Sequence, residues 1–277
     1  MARAIGPRTQ LCGVILHPAG HTRSPAMHNA AFAALGTDAV YLAFDVPPAS
    51  LPAAVAGARA LGVRQLAVSI PHKETISAHL DEVDDVARRI GAVNTVTRRH
   101  GRLVGSNTDW IGAVRALERA TVLEGRDVVV LGAGGTARAV VFGALERGAR
   151  VVVLNRTPDR AARLARELGA ARAGRLEDLA ELPCDVLVNT TSVGLRTDAS
   201  PLAADAIPAG AVVLDVVYDP PTTRLLRDAA ARGARTLSGK WMLVYQAAEQ
   251  VKLWTGQEAP IEVMAAAFDL AEPDQPA

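Results

Sequence analysis

The chain has 277 residues, of which 49% are hydrophobic and 21% are charged. This composition excludes a disordered or fibrous protein, and the length allows two domains of ordinary size, each with its own core. The formal net charge of +1, without runs of like charge, excludes a strong attraction to nucleic acid or to an acidic membrane.

Cysteine usage and apolar runs restrict the class of protein further. Cys12 and Cys184 are the only cysteines, and neither has a Cys or His at metal-ligand spacing, so we expect no disulfide framework and no metal site. No segment reaches the roughly 18 consecutive apolar residues that a membrane span needs. We therefore expect a cytoplasmic protein that binds neither nucleic acid nor membrane.

The first part of the chain alternates apolar runs with helix-like segments. Its pattern predicts strands at 11–16, 40–44, 65–70, 91–97 and 103–105, and helices at 26–35 and 51–61. The strand at 91–97 contains a polar break at Asn94. Residues 76–90 are charged and amphipathic, which predicts one or two surface helices, and another helix opens after 106–110.

From residue 126 onward, strands and helices alternate as a doubly wound parallel sheet requires. Strands are expected at 128–131, 150–154, 186–189 and 212–217, and helices at 159–169, 242–254 and 261–270. Ligands of open parallel sheets bind at the carboxyl ends of the strands. The loops after these strands are therefore candidates for a binding site.

A glycine-rich turn separates the strand at 128–131 from an alanine-rich, helix-prone segment. Glycines in such a turn let the backbone approach a ligand closely, and the free N–H groups of the following helix bind phosphate. An ordinary strand-to-helix connection is the alternative, and the turn alone does not decide between them. The turn consists of Gly132, Ala133, Gly134, Gly135 and Thr136.

The strand at 150–154 ends at Asn155, Arg156 and Thr157. In a dinucleotide-binding fold, the residue about 20 positions past the glycines is an acid for NAD, or has a nearby arginine for the 2′-phosphate of NADP. No acid occupies this position, and Arg160 follows one turn later. The pattern favours NADP, with a solvated surface role for Arg156 as the alternative.

Polar residues of the N-terminal half are candidates for substrate chemistry. Thr22 and Ser24 flank Arg23 and could face one anion, or cap the helix that follows. Lys73 comes just after a buried strand, where it is either a functional amine or an ordinary solvent-exposed lysine. Asp109 opens a helix, so an N-cap is its structural alternative.

A series of short motifs runs along nearly the whole chain. The motifs are His21-Thr22-Arg23-Ser24-Pro25, Pro71-His72-Lys73, Gly91-Ala92-Val93-Asn94-Thr95, Asn107-Thr108-Asp109, the glycine turn, Asn155-Arg156-Thr157 and Met242-Leu243-Val244-Tyr245-Gln246-Ala247-Ala248. Together and in this order they resemble the motifs of shikimate dehydrogenases. The shared order makes the resemblance more specific than any single motif.

The resemblance implies reversible hydride transfer between NADPH and the ketone of 3-dehydroshikimate, which gives shikimate on the route to chorismate and the aromatic amino acids. Reduction of a ketone places negative charge on its oxygen, so the site must supply a proton and an electrostatic partner. Lys73 and Asp109 match the family's catalytic pair. Which of the two transfers the proton is left open.

The remaining site residues are also carried over from the family, position by position. Substrate contacts are implied for Thr22, Ser24, Ser69, Asn94, Asp109, Tyr218 and Gln246. Cofactor contacts are implied for Gly132, Ala133, Gly134, Gly135, Thr136, Asn155, Arg156, Thr157, Arg160, Thr191, Ser192 and Gly239.

The chain departs from the family pattern at three places. Thr22 replaces a serine, Ala67-Val68-Ser69 replaces Asn-Val-Thr, and Trp241 replaces a glycine. Such changes occur in paralogues that act on quinate or a related cyclohexane carboxylic acid. Shikimate remains the first interpretation, and a ligand-sensing module with the same fold but without turnover is an alternative of another class.

The resemblance also implies a two-domain α/β architecture. A Rossmann-type doubly wound NADP domain at 109–237 is inserted into an α/β substrate-binding and catalytic domain, which comprises 1–108 with 238–277. The active site is expected in a cleft between them that closes during catalysis. We expect a small-molecule substrate as partner and a monomer or homodimer in solution.

Overall fold

The computed structural model describes residues 5–20 and 22–271, and the chain divides into two compact units. The first unit combines Met1–Thr108 with Gln246–Ala277, and the second is Asp109–Tyr245. The second boundary therefore falls inside a helix, later in the chain than the predicted boundary at 237/238. No helix in the described part of the chain is long and apolar enough to cross a membrane.

The first unit contains a mixed six-stranded sheet in the order β2-β1-β3-β5-β6-β4. Strand β1 runs parallel to both neighbours, whereas β5 runs antiparallel to β3 and β6. The strands are β1 Gln10–Leu16, β2 Ala39–Asp45, β3 Gln65–Val68, β4 Glu82–Val83, β5 Thr95–Arg99 and β6 Arg102–Ser106. Three helices accompany them: α1 Ser24–Ala34, α2 Leu51–Ala60 and α3 Asp85–Ile90.

The second unit contains a wholly parallel six-stranded sheet in the order β12-β11-β10-β7-β8-β9. This order confirms the predicted doubly wound Rossmann-type arrangement. Its strands are β7 Asp127–Leu131, β8 Arg150–Leu154, β9 Arg172–Gly174, β10 Val186–Asn189, β11 Val212–Asp215 and β12 Arg235–Ser238. Its helices are α4 Asp109–Leu117, α5 Gly135–Glu146, α6 Pro158–Leu168 and α7 Arg224–Ala231.

Two helices close the described chain, α8 Gly239–Thr255 and α9 Ile261–Leu270. Helix α8 begins in the second unit and ends in the first. Helix α9 packs with α1, where the guanidinium of Arg23 lies 4.6 Å from the Phe268 ring centroid.

Continuous apolar runs explain why β7 and β10 occupy the middle of the second sheet. Val128, Val129, Val130 and Leu131 are fully buried, as expected for strands covered on both faces. Burial of such side chains contributes about 1.5–3 kcal/mol each. The apolar pattern therefore sets which strands are central, and the polar residues that follow them lie at the sheet edge.

The segment 76–90 differs from the predicted surface helices. Ile76–His79 form a single 3₁₀ turn, β4 follows, and only α3 is α-helical. Asp84 accounts for the late start, because its side chain accepts a 2.7 Å hydrogen bond from Ala87 N and caps α3. Gly91, at φ 72°, ends the helix in the left-handed conformation.

Two predicted strands are shorter than their apolar patterns, because a polar side chain interrupts each of them. Strand β5 starts at Thr95, after Asn94, and β11 ends at Asp215, where Oδ1 accepts from Val217 N and turns the chain. The prediction also omitted β9, β12 and α7, which are short elements of three, four and eight residues.

Candidate active site

The glycine turn after β7 is shaped by the neighbouring loop after β10. Gly132 has φ 109°, and a Cβ at this position would lie 2.6 Å from Thr190 Oγ1 and 3.2 Å from Thr191 Cγ2. Only glycine fits this conformation and space. Helix α5 then begins at Gly135 without a side-chain cap and without an acid in its first turn. Its N-terminal N–H groups and its dipole suit an anion such as a diphosphate.

The position of this turn in the sheet also favours a nucleotide. Strand β7 lies between β8 and β10, where the strand order reverses. Ligands of open α/β sheets bind in the crevice at this reversal point. The predicted cofactor residues Thr191 and Ser192 follow β10, on the other side of the same crevice. The fold thus brings both predicted cofactor loops to one edge.

Two arginines follow β8 at the same edge. Arg156 and Arg160 are exposed, and neither forms an ion pair with any residue in 5–20 or 22–271. Asn155 Nδ2 donates to Thr157 O at 2.9 Å and shapes the turn between strand and α6. Two guanidinium groups without a carboxylate partner match the dianionic 2′-phosphate of NADP.

A buried polar network that the sequence did not reveal supports this edge. Asp215 and Asn189, the last residues of β11 and β10, are fully buried, and Asn189 Nδ2 donates to Asp215 Oδ1 at 2.9 Å. Thr223 Oγ1 donates to Asp215 Oδ2 at 2.6 Å, and Thr191 Oγ1 donates to Asn189 Oδ1 at 2.7 Å. The network therefore holds the loops that follow two neighbouring strands.

Burial raises the pKa of Asp215 to about 6, against the lowering effect of its hydrogen bonds from Thr223, Val217 and Asn189. The sequence signal was a polar residue at the end of each apolar run. Without the pairing of β10 with β11, that signal does not show that the two side chains meet.

In the first unit, the structure joins two of the predicted substrate residues. Asn94 Nδ2 donates to Gln246 Oε1 at 3.1 Å, although the two residues are 152 positions apart. Asn94 Oδ1 accepts from Thr108 N at 2.7 Å and from Thr95 Oγ1 at 2.8 Å. All four side chains are buried. This is a compact cluster of amides and hydroxyls at the start of β5.

Lys73 lies in a turn just after β3, and its backbone ties that turn to the same cluster. Its carbonyl oxygen accepts from Val93 N at 2.8 Å, next to Asn94 in the chain. The preceding His72 is buried, with Nε2 2.7 Å from Val46 O. Ser69 N donates to Ile15 O at 2.9 Å. Backbone contacts thus fix the position of Lys73, and His72 is a supporting residue that was not predicted.

The loop before α1 carries Thr22 and Ser24. Thr22 Oγ1 accepts from Ser24 N at 3.3 Å, whereas the N-cap residue of α1 is Arg23 and the helix has no side-chain cap. Arg23 is buried, and its Nη1 donates to Phe268 O at 3.1 Å. The arginine therefore attaches the loop to α9 and leaves the two hydroxyls as the candidate anion contacts. His21, part of the same motif, lies outside the described residues.

The predicted partner of Lys73 begins the second unit. Asp109 is buried and is the first residue of α4. Tyr218 is half-buried in the loop after β11. At Gly239, the start of α8, an added Cβ would collide with the backbone carbonyl of Val216. A packing requirement therefore explains this glycine, beside the predicted cofactor contact.

Comparisons with known proteins cover most of the chain. Residues 14–96 match the shikimate dehydrogenase substrate binding domain, 115–196 the shikimate / quinate 5-dehydrogenase model and 239–267 the shikimate 5′-dehydrogenase C-terminal domain. The chain is 50% identical to the shikimate dehydrogenase (NADP(+)) of Thermococcus kodakarensis, over 90% of this chain and 92% of that protein. The chain belongs to the shikimate dehydrogenase family.

Solved structures extend this likeness to the fold. Shikimate 5-dehydrogenase from Thermus thermophilus, in complex with NADP(H) and shikimate, has a TM-score of 0.87 and 42% identity, covering 94% of this chain and 98% of that one. Quinate dehydrogenase from Corynebacterium glutamicum, in complex with NAD, has a TM-score of 0.84 and 31% identity, covering 95% and 99%. The structures similar to this chain therefore include a shikimate dehydrogenase and a quinate dehydrogenase.

Trp241, one of the departures from the shikimate dehydrogenase pattern, packs within the second unit. The Arg119 guanidinium lies 3.8 Å from the centroid of a Trp241 ring. The ring centroids of Trp241 and Tyr245 are 5.7 Å apart. Arg119 Nη1 also donates to Tyr245 Oη at 3.0 Å. The described contacts of the ring thus include an arginine and a tyrosine that the sequence did not connect with it. Ala67 is buried in β3, opposite Thr95.

Proposed function

We propose that this chain catalyses the NADP-dependent, reversible reduction of 3-dehydroshikimate to shikimate. The observation that carries the proposal is the pair Arg156 and Arg160 beside the glycine turn, in a chain 50% identical to an NADP(+) shikimate dehydrogenase. The reaction is an oxidation or reduction at a CH-OH group. It belongs to the pathway that leads through chorismate to the aromatic amino acids.

The second unit supplies residues that fit NADP. The uncapped start of α5 and Gly132 suit its diphosphate, and Arg156 with Arg160 suits its 2′-phosphate. When bound, NADPH supplies the hydride for the reduction of the ketone. The other cofactor contacts proposed here are Ala133, Gly134, Gly135, Thr136, Asn155, Thr157, Thr191, Ser192 and Gly239.

For the substrate we propose that Lys73 and Asp109 act as the catalytic pair. The ammonium group of Lys73 donates a proton to the developing alkoxide during reduction and accepts it again during oxidation. Asp109 keeps Lys73 charged and oriented. Thr22 and Ser24 bind the substrate carboxylate with their hydroxyls, and Tyr218 lines the carboxylate end of the substrate. The ring hydroxyls of the substrate contact the remaining polar residues, Ser69, Asn94 and Gln246.

A panel of shikimate and quinate against NADP and NAD tests this function. We expect the highest kcat/KM for shikimate with NADP, measured as NADPH absorbance. Turnover of quinate with NAD alone would move the assignment to the quinate-oxidising branch. Tight binding of NADPH and shikimate without turnover in either direction would instead support the ligand-sensing alternative. Cytoplasmic location, and a monomeric or dimeric state, stay predictions.

A further inference from the structure

Helix α8 presents two buried glutamines four residues apart, on one face of the helix. Gln246 contacts Asn94, as described above, and Gln250 lies one turn further along. Gln250 Nε2 donates to Thr95 Oγ1 at 2.9 Å and to Asn94 O at 3.2 Å. Thr95 and Gln250 are both fully buried, and neither was predicted as a site residue.

The donor and the acceptor can be assigned in each of these hydrogen bonds. Thr95 Oγ1 accepts from Gln250, so its single proton is available for Asn94 Oδ1 at 2.8 Å; Thr108 Oγ1, at 3.5 Å, is the more distant alternative. Asn94 Oδ1 also accepts from Thr108 N, which identifies it as the acceptor end of the amide. Asn94 Nδ2 is then the donor end, and it donates to Thr108 Oγ1 at 3.0 Å and to Gln246 Oε1 at 3.1 Å.

We propose that Thr95 and Gln250 are positioning residues that set the amide orientations of Asn94 and Gln246 for recognition of the substrate's ring hydroxyls. The proposal rests on the proposed function, because it assumes that these two amides bind shikimate. A reversed amide presents an acceptor where a donor is needed, which costs a hydrogen bond and adds a repulsion. The relay Gln250 to Thr95 to Asn94 to Gln246 prevents that reversal.

The same strand offers a matched control. Thr97 is two residues beyond Thr95 in β5, so its side chain leaves the sheet on the same face. It is also buried, but its Oγ1 has no hydrogen-bond partner among residues 5–20 and 22–271. Thr97→Val removes a buried hydroxyl outside the relay, whereas Thr95→Val removes one inside it.

Steady-state kinetics on the full chain tests the relay. We expect Thr95→Val and Gln250→Leu to raise the KM for shikimate by roughly 10-fold, the equivalent of one lost hydrogen bond, with the KM for NADP unchanged. Thr95→Ser keeps the hydroxyl and should restore the wild-type KM, and Thr97→Val should not change it. The double variant should be no worse than the more affected single variant, because both substitutions break one relay.

The outcomes separate this inference from the proposed function. A wild-type chain that does not oxidise shikimate removes the proposed function. A wild-type chain that does, together with a Thr95→Val variant that behaves like Thr97→Val, overturns the relay alone. Equal rises in both KM values would show a merely structural role. If Thr95→Val does not fold, as judged by thermal unfolding and NADPH binding, Gln250→Leu and Gln250→Met provide the same comparison.

Discussion

In the first unit the buried polar centre consists of amides and hydroxyls, whereas in the second it contains a carboxylate. Asn94 and Gln246 are brought together from segments 152 positions apart, while Asn189 and Asp215 end two neighbouring strands of one sheet. The first centre is uncharged and depends on α8. The second contains the carboxyl group of Asp215, whose pKa is raised because burial disfavours its ionised form.

This difference matches the proposed division of work between the units. Neutral donors and acceptors suit a polyhydroxylated substrate, whereas exposed arginines and a helix N-terminus suit a phosphorylated cofactor. Substitutions of Asn94 or Gln246 should therefore leave the constants for NADP unchanged, and substitutions of Arg156 or Arg160 should leave those for shikimate unchanged. The largest effect is expected for Lys73, the proposed catalytic lysine, and the smallest for Arg156, the proposed cofactor contact.

Lys73→Ala should reduce kcat by about 10²- to 10⁴-fold, because it removes the proposed proton donor. The dissociation constant for NADPH, measured by fluorescence titration, should not change. Lys252→Ala is a matched control in the first unit, since Lys252 is half-exposed and paired with Glu258. A normal rate for Lys73→Ala would remove this residue from the mechanism.

His28 provides a pH test within the first unit. It is fully buried and stacked 4.0 Å from the Tyr41 ring, and burial lowers the pKa of His28 from 6.5 to about 4. Between these pH values the unfolded chain binds more protons at His28 than the folded chain does. The folded state is therefore destabilised as the pH falls from 6.5 to about 4.

Relative to a His28→Phe variant, which does not titrate, the wild type should lose up to about 3 kcal/mol on acidification. Urea unfolding at a series of pH values measures this difference. A pH-independent difference between the two proteins would show that folding does not lower the pKa of His28.

Asp215, in the second unit, should make the stability change with pH in the opposite direction from His28. Its folded pKa of about 6 lies above the ordinary 3.8, so the folded chain binds more protons in this window. Stability is therefore lost as the pH rises from about 4 to about 6. Against Asp215→Asn, the wild type should lose up to about 3 kcal/mol over this range, again by urea unfolding. A wild type that instead gains stability relative to Asp215→Asn as the pH rises from about 4 to about 6 would contradict the raised pKa.

Arg156→Asp should produce the smallest of these changes, a shift of roughly 10- to 100-fold in the NADP to NAD preference, since it removes one charge-assisted contact to the 2′-phosphate. The KM for shikimate should stay the same. Arg166→Asp is the control, because Arg166 is an exposed arginine in the last turn of α6, the helix that follows Arg156. Persistence of full NADP preference would show that Arg156 is only a surface residue.

The sequence predicted those parts of the site that depend on neighbours in the chain. The glycine turn and Arg156 each follow directly from a buried strand, so a local pattern was enough to place them at one edge of the sheet. Within residues 76–90 the pattern predicted one or two helices, and the structure has one α-helix, α3; the pattern did not show that this helix starts only after Asp84, whose side chain caps it.

Contacts between distant segments could not be predicted in this way. Thr95 looks like any β-branched strand residue, and Gln250 like any polar residue of a helix, until their 2.9 Å hydrogen bond is seen. Asp215 likewise ends an apolar run in the sequence, but its raised pKa depends on burial beneath loops from elsewhere in the second unit. Burial and partner identity are properties of the folded chain alone.

Helix α8 limits how this protein could be recombined with a relative. It begins at Gly239, which has no room for a side chain against Val216, and it carries Gln246 and Gln250 further along. A crossover at the boundary between Tyr245 and Gln246 would splice two half-helices, each adapted to the neighbours of a different parent. A chimaera that exchanges the second unit should therefore end the inserted segment at Ser238 and keep the whole helix, with its glycine, from one parent.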